Sequence, residues 1–291
     1  MKRKWLLKAF GCLAALVCLD ILYDTTHFVV KRYELKSTKI KSPYHFVVLS
    51  DLHDKAFGYQ NKKLLDAIDK IKPEAVYIAG DMITALPGKQ YDDTIAFLKA
   101  LSEKYPVYYG SGNHEYRMRI DTEKYGNMSS EFEETIRNLG IVRLYTGSCD
   151  SHRKDVKVYG LEIDRMYYRK WKMPVMPADY SLQKIGKAEK DCFTILLAHN
   201  PEYFENYAKT GVDLVLSGHM HGGIARIPFL GGVISPKFRL FPKYDGGLFT
   251  KKDTTMILSR GLGCHTIPIR FLNPGELIEV MVYPETDEIK M

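Results

Sequence analysis

The chain has 291 residues, of which 45% are hydrophobic and 26% charged, and its formal net charge is +7. This composition excludes a disordered or collagen-like chain, and the length suits one large α/β domain or two small ones. The five cysteines lie far apart without a CxxC pair, so neither a disulfide framework nor a zinc knuckle is indicated. The positive charge suits an anionic membrane surface or substrate, but no stripe of basic and aromatic residues points to nucleic acid, and none is expected as a partner.

Residues 1–23 are predicted to form an N-terminal signal anchor. After a basic start, the run from Trp5 to Tyr23 is about as long as a helix needs to cross a bilayer, and only Lys8 and Asp20 interrupt it. No A-x-A cleavage site follows, which favours a retained single-pass anchor in the cell membrane over a removed signal peptide. A buried helix of a soluble protein is a further alternative. The basic start places the main domain outside the cytoplasm, although basic residues between 31 and 41 favour the opposite orientation.

A polar connector over residues 24–42, with one strand-like run at His27–Leu35, precedes a domain predicted over residues 43–291. Strands are predicted at Tyr44–Ser50, Ala75–Gly80, Tyr105–Gly110, Ile141–Tyr145, Val156–Ile163, Phe193–Ala198, Asp213–Ser217, Thr255–Arg260 and Leu277–Tyr283. Helices are predicted at Asn61–Lys72, at Asp92–Lys104, from a capping box at Ser130–Glu133 to Gly140, and at Glu202–Lys209 after the N-cap Asn200. This order of elements predicts an α/β sandwich rather than a closed barrel.

Five polar clusters each follow directly after a predicted strand. They are Asp51-Leu52-His53, Gly80-Asp81, Gly112-Asn113-His114-Glu115, Ala198-His199 and Gly218-His219-Met220-His221. Ligands collect at the carboxyl ends of strands in open α/β sheets, and imidazole, carboxylate and amide groups together suit first-row metals. In Asp51-x-His53 and His219-x-His221, a spacing of two in an extended segment directs both side chains the same way. Each cluster alone is a weak signal, but their joint occurrence predicts a metal site.

The order DxH, GD, GNH(E/D), H and GHxH resembles the calcineurin-like metallophosphoesterase superfamily, over about Tyr44 to Tyr283. The segments GHMHGG, SRGLG at Ser259–Gly263 and IPIRF at Ile267–Phe271 are similar to a bacterial membrane-associated, YkuE-like branch with a likeness to UDP-2,3-diacylglucosamine pyrophosphatase-type enzymes. The resemblance implies an αββα sandwich of two mixed sheets flanked by helices, here preceded by a transmembrane helix. Met220 and the segment 273–276 depart from the usual pattern without touching the metal ligands.

The resemblance also implies two divalent metal ions, which are manganese, iron or zinc. It divides seven ligands into two groups of three and one residue that bridges both ions: Asp51, His53 and His221; Asn113, His199 and His219; and Asp81. A water activated by the ions attacks phosphorus, and His114 acts on the leaving group. The alternative for His114 is to orient Asn113 or Asp81, and Glu115 is assigned no chemistry.

The predicted function is hydrolysis of a phosphodiester or pyrophosphate bond by a metal-activated hydroxide, in a membrane-associated or lipid-linked substrate. A non-catalytic metal-binding scaffold and a phosphatase of soluble monoesters are the alternatives. Two long loops, Asp164–Asp179 and Gly222–Gly247, combine apolar and basic residues and are expected to cover or line the site. His265 is either an additional ligand or a rim residue. Four basic residues either bind a phosphate or head group or are only solvated: Arg226, Lys237, Arg239 and Lys243.

Overall fold

Two six-stranded mixed sheets lie face to face in the computed structural model, which describes residues 2–169, 174–235, 239–264 and 269–285. The strands are β1 (Phe28–Ser37), β2 (Tyr44–Leu49), β3 (Ala75–Ile78), β4 (Val107–Gly110), β5 (Val142–Leu144), β6 (Thr146–Asp150), β7 (Val156–Leu161), β8 (Phe193–Leu197), β9 (Leu214–Ser217), β10 (Arg226–Ile227), β11 (Gly231–Gly232), β12 (Gly247–Lys251), β13 (Thr254–Leu258) and β14 (Gly275–Pro284). The α-helices are α1 (Lys2–Thr26), α2 (Lys62–Ile71), α3 (Asp92–Ser102), α4 (Asn113–Ile120), α5 (Thr122–Tyr125), α6 (Met128–Asn138), α7 (Tyr180–Ile185) and α8 (Phe204–Tyr207).

The predicted sandwich of two mixed sheets with flanking helices is confirmed. The first sheet has the order β1-β14-β2-β3-β4-β5 and the second β12-β13-β9-β8-β7-β6. Alternate residues of one strand face opposite layers: Val48 of β2 packs between the sheets, whereas Val47 faces the helices α2, α3, α4 and α6. A third cluster joins the second sheet to α7 and α8. Apolar residues on both faces of each sheet therefore hold the four layers together.

The central strands of both sheets run parallel, so their carboxyl ends meet along one side of the sandwich. We call this side the carboxyl edge; β2, β3, β4, β8, β9 and β13 all end there. β14 is antiparallel to β2, and β1 is parallel to β14 with Phe28 opposite Gly275. Both β1 and β14 therefore begin at the carboxyl edge, although they run away from it.

The predicted N-terminal apolar helix is present as α1. Over Arg3–Thr26 it is long and apolar enough to cross a membrane by length and composition, and its apolar stretch is not buried by the domain. The strand-like run after it forms β1, which pairs along its whole length with β14. The stretch assigned to the connector thus supplies the edge strand of the first sheet.

Some elements differ from the sequence predictions. The helix expected from the capping box at Ser130 begins two residues earlier, at Met128, and Ser130 Oγ instead donates to the carbonyl of Asn127. The N-cap of Asn200 is confirmed, because its side chain accepts from the N–H of Glu202. The helix that follows is divided into short α- and 3₁₀-segments rather than one continuous helix.

Candidate metal centre

All five polar clusters found in the sequence meet at the carboxyl edge. Asp51 and His53 follow β2, Asp81 follows β3, Asn113 begins α4 after β4, His199 follows β8, and His219 and His221 follow β9. Ligating atoms of Asp51, His53 and His221 lie within 4.8 Å of one another, as do those of Asp81, His199 and His219. Six of the seven residues therefore form two triads at one locus, and His53, Asp81 and His114 form a third group within the same distance limit. Asn113 directly precedes His114, whose N–H donates to Asp81 Oδ1.

Short distances connect the two triads. His199 Nε2 lies 3.1 Å from Asp81 Oδ2 and 3.7 Å from Asp51 Oδ1. His53 Nε2 lies 3.3 Å from His221 Nε2 and 3.9 Å from Asp81 Oδ2. Asp81 thus contacts members of both triads, and so does Asp51 through His199.

The prediction that the DxH and HxH segments are extended is wrong. Asp51 and His53 have φ values of 51° and 51°, and His219 and His221 have 73° and 51°. Side chains still converge because left-handed residues turn the chain sharply at the ends of β2 and β9. Such a conformation is unfavourable for residues with a Cβ and persists where surrounding contacts enforce it. Here Asp51 accepts the N–H of His219 at 3.1 and 3.0 Å, which ties the two turns together.

Two glycines allow the turns to approach this closely. A Cβ at Gly112 would lie 2.1 Å from Asp81 Oδ1, and one at Gly218 would lie 2.2 Å from Asp51 Oδ2. No side chain fits at either position without displacing a carboxylate of the site. The glycines marked in the sequence are therefore required by close packing of the backbone against Asp51 and Asp81.

Glu115, to which the sequence assigns no chemistry, organises the turns around Asp81. Its buried carboxylate accepts the N–H groups of Asp81 and Gly112 at 3.0 Å each, the N–H of Met82 at 2.9 Å, and the hydroxyl of Tyr109 at 2.6 Å. Burial and the charge of Glu115 raise the pKa of Tyr109 well above its usual range, so its hydroxyl remains a donor. One carboxylate thus fixes the ends of both β3 and β4.

Glu115→Gln is expected to lower the free energy of unfolding by about 3 kcal/mol, because the amide nitrogen would face two donors in place of an acceptor. Denaturant unfolding of the full chain in detergent measures the effect. Glu123→Gln, an exposed position in α5, is the matched control and should leave the midpoint unchanged. An equal midpoint for both variants would contradict the organising role of Glu115.

The environment of His114 fixes which ring nitrogen carries the proton. The N–H of Ala85 donates to His114 Nδ1 at 2.8 Å, so Nδ1 is an acceptor and a neutral ring carries its proton on Nε2. The backbone N–H of His114 donates to Asp81 Oδ1 at 2.7 Å, and the ring lies in edge contact with His53. Arg117, which the sequence did not single out, has Nη2 3.5 Å from Nε2. His114 therefore presents a donor beside the triads.

The donor set fits divalent cations. Asn113 Oδ1 is buried and has no hydrogen-bond partner within the described part of the chain, so an acceptor is left for a cation. Burial alone would lower the pKa of His199, but the charges of Asp81 and Asp51 outweigh it and raise the pKa above its ordinary value. Burial raises the pKa of Asp81, against the attraction of His199. The cluster of buried carboxylates thus favours positive charge at its centre.

Arg270 and Asn273, to which the sequence analysis assigned no role, hold the loops of the site. Asn273 Nδ2 donates to the carbonyl of His221 at 2.8 Å and of Gly223 at 2.7 Å. The buried Arg270 donates to the carbonyls of Gly261 and Gly263 at 3.1 and 2.6 Å. An arginine between apolar residues is a signal that can be read from the sequence, because such a charged group, when buried, needs hydrogen-bond partners.

Three of the four basic residues in the loop after β9 have acidic partners. Arg226 pairs with Asp245 at 3.2 Å, Arg239 with Glu202 at 3.2 Å, and Lys243 with Glu205 at 3.3 Å. Arg226 also donates to the carbonyls of Gly222 and Asp245, so it holds the loop in place. Lys237 and His265 lie outside the described residues.

The two-sheet sandwich gathers carboxylates and imidazoles at its carboxyl edge, an arrangement that suits divalent metal binding. The family model described as calcineurin-like phosphoesterase matches residues 44–223, and the chain belongs to this family. Its members use two divalent metal ions, in agreement with the two triads.

Among the relatives is an uncharacterized metallophosphoesterase of Campylobacter jejuni, 27% identical over 89% of this chain and 65% of its own length. The chain thus spans slightly less than two thirds of that protein. The uncharacterized metallophosphoesterase YkuE of Bacillus subtilis is 25% identical over 74% of this chain and 70% of its own. The phosphodiesterase YaeI of Escherichia coli is 25% identical over 76% of each chain.

Proposed function

We propose that this protein hydrolyses a phosphodiester or pyrophosphate bond in a membrane-associated or lipid-linked substrate, using two divalent metal ions. The observation that carries the proposal is the position of Asp81, 3.1 Å from His199 of one triad and 3.9 Å from His53 of the other. The name of the relative YaeI, a phosphodiesterase, supports the reaction class, and the likeness to YkuE supports the proposed branch.

Seven residues are proposed as ligands. Asp51, His53 and His221 would hold one ion, and Asn113, His199 and His219 the other, with Asp81 shared between them. Two ions so placed would polarise the phosphoryl group and lower the pKa of the attacking water. The geometric grouping of the triads and the unpartnered Asn113 Oδ1 support this division.

Glu115 is proposed to position the turns of the site, and His114 to protonate the leaving group. Glu115 keeps the turns after β3 and β4 in register through its bonds to Asp81 and Gly112. His114 offers Nε2–H to the oxygen that leaves phosphorus, because its Nδ1 is occupied by the N–H of Ala85.

The cell membrane is the proposed location, with α1 as a single-pass anchor. The length and apolar surface of α1 support it. The basic residues ahead of the apolar stretch support a catalytic domain outside the cytoplasm. Proteolysis of intact cells tests this orientation, because only an external domain would be digested.

Substrate hydrolysis by the purified full chain tests the reaction. After removal of metal with a chelator, we expect no turnover, and added Mn²⁺ should restore hydrolysis of bis-p-nitrophenyl phosphate and of a lipid-linked diester or pyrophosphate, such as a UDP-linked acylated sugar, in mixed micelles. Activity confined to soluble monoesters would refute the lipid proposal. Stoichiometric metal binding without hydrolysis of any phosphoester would indicate a non-catalytic scaffold.

A further inference from the structure

The anchor helix leaves the domain from the same side that carries the metal centre. α1 ends at Thr26 and β1 begins at Phe28, opposite Gly275 at the start of β14. β14 is antiparallel to β2, so its start lies beside the end of β2, where Asp51 follows. A membrane that contains α1 therefore lies next to the carboxyl edge rather than next to the opposite side of the sandwich.

Hydrogen bonds hold the end of α1 against the loops of this edge. Asp20 accepts the N–H of Leu272 at 2.9 Å, and Asp24 accepts the N–H of Asn273 at 2.5 Å. These carboxylates are four residues apart and so lie on one face of the helix. The segment that they bind also pairs with the loop after β9, because Arg226 donates its N–H to the carbonyl of Phe271 at 3.0 Å. Strand β10 of the hairpin thus lies directly beside the segment that is hydrogen-bonded to the end of α1.

Large apolar side chains project from these same loops. Phe229 at the turn of the hairpin is fully exposed, with a relative accessibility of 108%, and its neighbour Leu230 is 66% exposed. Leu240 and Phe241 are 67% and 58% exposed. We call these four residues the apolar rim. The loop that carries them begins after β9 and ends at β12, whose first residue Gly247 is opposite Leu258 at the end of β13, so it leaves and returns at the carboxyl edge.

We propose that the apolar rim inserts into the lipid bilayer that α1 crosses, so that the metal centre faces the membrane surface. Exposed apolar side chains of this size, on two segments joined by the bond from the N–H of Phe241 to the carbonyl of Val233, indicate a binding surface. The structure favours a bilayer as the binding partner, because the rim belongs to loops that are joined by hydrogen bonds to the carboxyl-terminal end of α1, where the helix enters the domain. This inference rests on the membrane anchor of the proposed function and adds the face and the residues through which the domain contacts lipid.

The orientation restricts the substrate. A phosphate in a lipid head group lies at the surface on which the carboxyl edge would rest. The two triads therefore meet head-group phosphates directly, whereas a large soluble substrate would have to enter between the domain and the bilayer. The inferred substrate class is a phosphoester within a membrane lipid.

Tryptophan fluorescence in proteoliposomes tests the insertion without depending on metal or activity. The chain has two tryptophans, Trp5 and Trp171, so the probes are made as single-tryptophan forms of the full chain. Phe229→Trp, in a background with both tryptophans replaced by phenylalanine, reports the rim. Tyr283→Trp in that background is the matched control, because Tyr283 is an exposed aromatic residue at the far end of β14. A form with only Trp171→Phe retains Trp5 and reports the anchor.

In vesicles of phosphatidylcholine brominated near the glycerol end of the chains, we expect the tryptophan at position 229 to lose about half of its emission, as insertion of about 5–10 Å brings it to the bromines. The tryptophan at position 283 should be unaffected. Quenching of Trp5 without quenching at position 229 would overturn the rim proposal and leave the anchor intact. Absence of quenching at both position 5 and position 229 would overturn the anchor and the rim proposals together. Hydrolysis of soluble diesters is measured independently, so this result would not contradict the proposed reaction.

Discussion

Asp81→Asn is expected to lower kcat/KM for a phosphodiester by at least about 10³-fold, which corresponds to about 4 kcal/mol of transition-state stabilisation. Asn keeps the size of the side chain and an acceptor for the N–H of His114, but it removes the charge that lies between His53 and His199. Metal analysis of the purified variant should show fewer than two ions per chain, together with the loss of rate.

Asp66→Asn is the matched control for the charge change, because Asp66 is a half-exposed carboxylate on α2 that pairs with Lys62 at the surface. It should retain the full rate and both ions. Circular dichroism of both variants establishes that each is folded. Two bound ions and an unchanged rate in Asp81→Asn would refute the bridging role.

His114→Asn is expected to reduce kcat by about 10²–10³-fold while both metal ions remain bound. The Asn oxygen takes a position close to that of Nδ1 and still accepts the N–H of Ala85, whereas the donor at Nε2 is lost. The loss should be larger for an alkyl phosphodiester than for bis-p-nitrophenyl phosphate, because p-nitrophenolate leaves without help from an acid. Steady-state rates on both substrates, with metal analysis, measure the difference.

A different outcome would assign His114 another role. Equal losses on both substrates, accompanied by loss of metal, would mean that the His114 ring supports the candidate metal site, where it lies in edge contact with His53, rather than acting on the leaving group. In that case the leaving oxygen would be stabilised by another hydrogen-bond donor, and Arg117, 3.5 Å from the ring, would be the next residue to replace.

The positions of the candidate metal ligands can largely be predicted from the sequence, because these residues follow apolar strands. Parallel strands bring their carboxyl ends to one edge, so clusters remote in sequence, such as Asp51 and His219, were expected to meet there. The ligand roles assigned by resemblance remain predictions. The extended geometry assumed for DxH and HxH was wrong because a spacing of two does not reveal a left-handed turn.

Other parts of the site and fold gave no clear signal. Glu115 stands in the GNH(E/D) motif, but it bonds mainly to backbone N–H groups, which every residue type except proline supplies, so the motif does not predict its partners. Helix α4 was missed because both Glu115 and Met118 are buried and its sequence lacks one apolar face. Strand β6 was missed because it lies at the edge of its sheet and most of its residues are polar or small.

The bonds from Asp20 and Asp24 to the chain at Leu272 and Asn273 have a consequence for preparing a water-soluble fragment. A cut after residue 26 would remove both carboxylates and expose two backbone N–H groups next to the amide that binds the carbonyl of His221. Low turnover of such a fragment would then reflect weaker support of the loop that carries His221 rather than the absence of lipid. Starting the fragment at residue 19 discards most of the apolar stretch and preserves both contacts.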